Sequence, residues 1–147
     1  MTRPKLTEKE ARALIEKHCP DLSADVVLIG IRGYYKRIMG DPTKNDRNIY
    51  DDAFFVIGPG YYKTFNANTD PSKYKKGIGS LKPGLHWYRK DYHHKWDPKK
   101  RYPAFRPATP DESLPGYRDG MKGEYKIIAA NIHAGGETTT GSEACQT

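Results

Sequence analysis

Ile49 to Asn66 reads IYDDAFFVIGPGYYKTFN, and this stretch decides the fold class. An apolar run ends at Gly58-Pro59-Gly60, and the chain returns through Tyr61–Asn66 with aromatic and polar residues alternating. Alternation with period two marks a strand with one buried face, and the Gly-Pro-Gly triplet supplies the turn between two such strands. The expectation is a hairpin with strands over 49–57 and 61–66. Outward from it, Asp25–Gly33 (DVVLIGIRG) is β-branched and apolar and predicts a buried strand, and residues 34–47 read as a loop. Thr7-Glu8-Lys9-Glu10 has the spacing of a capping box, followed by Ala11, Leu14 and Ile15 at helical spacing and stopped by Pro20. This predicts a helix over 8–18, with Cys19 buried on its face and unpaired.

Toward the C-terminus the reading is a loop over 67–83, a strand over 85–92, and largely irregular chain over 97–123, which holds five prolines and three glycines. Glu124–His133 (EYKIIAANIH) predicts one continuous strand, followed by a Gly- and Thr-rich loop over 134–141. The fold expected is a mainly β single domain spanning 1–147, with one N-terminal helix and a β-rich catalytic part over 25–145. A chain of 147 residues suits one domain. No run approaches the ~18 apolar residues of a membrane helix. The charged N-terminus does not read as a signal peptide.

The net charge of +7 is local: residues 73–106 hold eleven Lys or Arg against two Asp, a balance of +9, so the remainder is −2. The same segment contains both tryptophans and four tyrosines. Such a block predicts an anionic partner. Trp87, Tyr88 and Arg89 are its candidate substrate contacts.

The chemistry concentrates in Ile132-His133-Ala134-Gly135-Gly136-Glu137-Thr138-Thr139-Thr140-Gly141-Ser142-Glu143-Ala144-Cys145. A histidine ends a strand, two glycines bend the backbone, and a short loop returns a cysteine toward the imidazole. Imidazolium beside a thiol lowers its pKa, and the same ring protonates a leaving amine. Cys145 is therefore the candidate nucleophile and His133 its base. Gly135, Gly136 and the residues flanking Cys145 are candidates for binding substrate and an oxyanion. His93-His94 with Asp97 and His86 lack the spacing of a metal motif and read as a solvated strand end; no metal or cofactor is expected. Asp51-Asp52 do not read as paired catalytic carboxylates, because consecutive strand residues point to opposite faces.

These residues resemble the L,D-transpeptidase (YkuD-like) family, whose members carry a His-Gly pair at a strand end and a Ser/Thr-x-Gly-Cys ending. His133 matches the histidine, Ser142 the hydroxyl residue and Cys145 the nucleophile, with Ala144 in place of glycine. Gly79–His86 is similar to the family's Thr-Pro-x-Gly segment, and Ile49–Ser72 to the opening hairpin of small phage and prophage proteins with such endings. The resemblance implies acyl transfer, exchange or hydrolysis on peptidoglycan stem peptides through a Cys145 thioester, with Ser142 shaping the oxyanion site. With no signal peptide read at the N-terminus, the member expected is a phage lysis protein or antibacterial effector that acts in the periplasm or cell wall after delivery or lysis. An immunity or delivery protein is a possible partner, and nucleic acid is not expected. The alternative class is a non-catalytic basic and aromatic module that binds wall polymer or nucleic acid.

Overall fold

The computed structural model describes residues 2–137 and 140–147. The chain is mainly β, with one helix and three small antiparallel sheets. It folds as two compact units, one built from residues up to Asp46 with Tyr50–Ala67, the other from Arg47–Ile49 with Asn68–Thr147.

In the first unit, helix α1 spans Glu8–His18 behind the capping box, with Thr7 accepting from Glu10 N and Glu10 accepting from Thr7 N. Only Ala11 of this helix is buried. Cys19 is free but is not buried on the helix face: it is the C-cap, where the backbone leaves the helical conformation, and is half-exposed. The hairpin forms from β2 (Asp52–Gly58) and β3 (Tyr61–Ala67), with β1 (Val27–Ile31) on the other side of β2. The central strand β2 is almost wholly buried, whereas β1 is half-buried because it is an edge. Asp51 and Asp52, both buried, are structural clamps. Asp52 accepts from Gly33 N (2.5 Å) and Asp51 from Asp46 N (3.0 Å), which fastens both ends of the 33–51 loop.

The second unit holds two sheets. One runs β4 (Gly79–Leu81), β7 (Ser113–Arg118), β8 (Tyr125–Ile128); the other runs β5 (Tyr88–His93), β6 (Tyr102–Pro107), β9 (Ile132–His133). Two expectations are corrected here. The 97–123 segment, read as largely irregular, carries two strands, β6 and β7, despite Pro103, Pro107 and Pro115. Proline lacks a donor but keeps its carbonyl, and the ladder uses that of Pro115, which accepts from Lys82 N (3.0 Å). Nor is 124–133 one strand. Ala129 takes a left-handed conformation (φ 53°), the Asn131 N–H turns back to its carbonyl (2.8 Å), and the chain crosses from one sheet to the other.

Leu81, Leu114, Ile127 and Ala130 form a core against which Tyr88, Tyr125 and Ala144 pack. Gly116 is required by this packing. A Cβ there would stand 2.3 Å from the Ser80 carbonyl oxygen and 2.5 Å from Ile127 Cγ1. Gly116→Ala is expected to cost about 3 kcal/mol, since backbone cannot yield as a side-chain end does. Urea denaturation checks this. Gly79→Ala, which would meet only the Ile127 side chain, is expected to cost less.

Candidate active site

Strand parity assembles the site. His93, the last residue of β5, lies opposite Tyr102 of β6, and His133 of β9 lies opposite Ala104, two residues further along β6. Residues two apart on a strand share a face, so His93, Tyr102 and His133 project to one side of this sheet. The rings meet there. His93 stacks on Tyr102 (centroids 5.1 Å, 14°) and meets His133 edge-on at 4.5 Å. His94, left-handed at φ 49°, turns the chain away from β5 and sets its ring edge-on to His93 at 4.1 Å.

Cys145 enters from the C-terminal segment. Its Sγ lies 3.6 Å from His93 Nε2 and 3.6 Å from the Ala129 carbonyl oxygen. One donor atom each from His93, His133 and Cys145 lie within 4.8 Å of one another. The residues that follow it hold the thiol in place. Gln146 N donates to Asn131 O (2.7 Å), His133 N to Gln146 O (3.1 Å), and Thr147 exchanges backbone bonds with Asn68 (2.6 and 2.8 Å). The end of the chain is thus laid beside β9 as a parallel bridge. Ser142 is buried, and its hydroxyl donates to the Cys145 carbonyl (2.6 Å) while its N–H donates to Ser72 Oγ (2.7 Å). It therefore fixes the turn that presents Cys145.

The electrostatics describe a neutral pair. Burial pushes the Cys145 thiol above its ordinary pKa, although the Asn131 N–H and Arg106 pull the other way. Burial, with His133, His94 and Arg106 nearby, lowers His93 to about 4. His133 is also lowered, chiefly by burial, while the Ala134 carbonyl that accepts from its Nδ1 (2.8 Å) opposes this. Both displacements favour thiol beside neutral imidazole over the thiolate–imidazolium pair expected from the motif.

The other sequence candidates are dispersed. Tyr88 is a core residue whose hydroxyl donates to Ala130 O (3.0 Å). Arg89 is on the His93 face of β5 but four residues away, about 13 Å, and it is spent on Pro107 O (2.6 Å) and Glu112. Trp87, Gly135 and Gly136 are exposed. The Gly- and Thr-rich loop falls partly on Thr138 and Thr139, outside the described residues. Part of the localised positive charge is internally matched, because Glu112 takes Arg89, Lys95 and Arg106. Lys75, Lys76 and Arg118, with Glu143 and Ala144, line an open cavity of about 360 Å³.

His93 and Tyr102 were missed by sequence reasoning. The signal was present in the parity of β5 and β6, but it requires that β6 be recognised as a strand. Among the described residues, no helix is long and apolar enough to cross a membrane. No family model, curated protein or solved structure matches the chain.

Proposed function

We propose that this protein is a cysteine acyltransferase or hydrolase acting on peptidoglycan stem peptides, in the manner of the L,D-transpeptidases that its His133…Ser142-x-x-Cys145 ending resembles. The observation that carries the nucleophile is the 3.6 Å approach of Cys145 Sγ to His93 Nε2 in a partly buried cluster of two imidazoles. As the thiol attacks a peptide carbonyl, the S–C bond forms and the thiol proton passes to an imidazole. The tetrahedral adduct collapses, the C–N bond breaks, and the leaving amine takes that proton. The acyl thioester then passes to a second amine or to water.

His93 is the base in this reading. Its Nε2 faces the sulfur, and its lowered pKa keeps it unprotonated at neutral pH. Stacking on Tyr102 and edge contact with His133 orient the ring. His133 supports it from β9 and is itself held by Ala134 O. Ser142 and the pinned Gln146–Thr147 end hold Cys145 where the chemistry needs it. The cationic cavity beside Ala144 suits the carboxylates of a stem peptide.

Purified sacculi and their soluble fragments, incubated with the protein, are expected to yield exchanged or cleaved stem peptides by mass spectrometry, with a mass shift on Cys145 when a slow acyl donor is used. Cys145→Ala is expected to abolish both while leaving the circular-dichroism spectrum unchanged. Absence of products and of adduct with the native protein overturns the proposal in favour of a binding module.

A further inference from the structure

We propose that His93, His133 and Cys145 form a three-ligand site for a single zinc ion, and that a bound ion withholds the Cys145 thiol from reaction. The binding rests on the geometry alone; only its consequence for turnover rests on the catalytic reading above.

The donor set is chemically apt. Zinc is borderline-soft and takes thiolate and imidazole, with Zn–S about 2.3 Å and Zn–N about 2.0–2.1 Å. A tetrahedral arrangement of those bonds places sulfur and nitrogen about 3.6 Å apart. Cys145 Sγ and His93 Nε2 stand 3.6 Å apart, and no pair in the trio exceeds 4.8 Å. Closure around an ion therefore requires side-chain shifts on the order of 1 Å.

The surroundings agree with the donors. His133 Nδ1 is engaged by the Ala134 carbonyl, the outer-shell arrangement that orients a ligating imidazole and leaves Nε2 as the donor. His93 Nδ1 is buried with no hydrogen-bond partner among the described residues. With Nδ1 carrying the ring proton, Nε2, which faces Cys145 Sγ at 3.6 Å, is the nitrogen this ring offers to an ion. Three protein ligands leave a fourth position to water. On binding, the Cys145 S–H bond gives its proton to solvent, the thiolate–zinc bond forms, and zinc loses water ligands; nothing is oxidised or reduced.

The test uses the full chain, reduced and stripped with a chelator, then titrated with zinc chloride or cobalt chloride. Saturation is expected at one equivalent, with a thiolate-to-cobalt charge-transfer band and release of a proton. Alkylation by iodoacetamide is expected to slow at least ~10-fold with zinc and to recover when chelator is added. Cys145→Ser, which preserves size, is expected to remove the band, and both it and His93→Gln to weaken binding at least ~100-fold. His18→Gln, on the exposed helix end, is expected to change neither. Near-ultraviolet circular dichroism of each variant separates lost ligation from lost fold. Absence of the charge-transfer band, or binding unchanged in Cys145→Ser, overturns the site. Since titration needs no substrate, an inactive chain that still binds zinc sinks only the enzymatic reading, and an active chain that fails to bind sinks only this one.

Discussion

His93→Ala is expected to reduce processing of stem peptides by about 10³-fold or more, close to the loss in Cys145→Ala. General acid–base catalysis contributes about 10²–10⁴-fold, and the neutral thiol of Cys145 has no nucleophilicity to spare once its proton acceptor is removed. His133→Ala is expected to be milder, because His133 supports His93 through ring contact at 4.5 Å rather than facing the sulfur at hydrogen-bond distance. The double variant His93→Ala/Cys145→Ala is expected to lose little more than either single one, since the two act as a unit. The pH profile supplies a second readout. A base lowered to about 4 remains competent well below the ordinary histidine range, so the acid limb of kcat/KM is expected nearer 4 than 6.5. Alkylation of Cys145 should follow the opposite displacement, rising only above the ordinary thiol range because burial disfavours the thiolate. Full activity in His93→Ala, with loss in His133→Ala, would return the base to His133.

Glu112→Gln is expected to cost about 3 kcal/mol, and roughly 10 °C in Tm. Arg106 is buried, at 7% exposure, and its guanidinium donates to Glu112 and to Tyr92 O (3.3 Å). Removing the carboxylate's charge leaves this buried cation uncompensated, together with Lys95 and Arg89, which share the same group. Adding Arg106→Met is expected to recover about half of the loss, because the stranded charge leaves with it. The pH dependence checks the same interaction. Arg106, foremost among its partners, draws the Glu112 pKa down to about 2. Its contribution is therefore present above the unfolded carboxylate value and lost as pH falls toward 2. Urea midpoints measured across that window are expected to fall for the native chain and to fall less for Glu112→Gln. The site responds too. An unmatched Arg106 favours thiolate at Cys145 and further disfavours imidazolium at His93, so alkylation of Cys145 is expected to speed up in the folded variant.

Local patterns carried far in the first unit. The helix over 8–18 follows from a capping box and a proline, and the hairpin from alternation around Gly58-Pro59-Gly60; both are encoded within a few residues. Proline and glycine content misled the reading of 97–123, because composition reports the missing donors but not whether the ladder needs them at those positions. That one misreading hid the site. Without β6 there is no strand for β5 and β9 to share, and His93 looks like the wet end of an isolated strand.

By itself the sequence determined the fold class, the helix and the hairpin, because those rest on periodicity and short-range spacing, and it singled out Cys145 and His133 as candidates. Only the tertiary structure decided that His93, fifty-two residues from Cys145, is the imidazole at the sulfur. It also decided that Ser142 anchors a turn and that Asp51 and Asp52 clamp a loop. The reason is physical. Which side chains share a face depends on strand register and on a single left-handed residue, Ala129, that sends one apolar run into two sheets. Register is settled by pairing between distant segments, and no local window contains it.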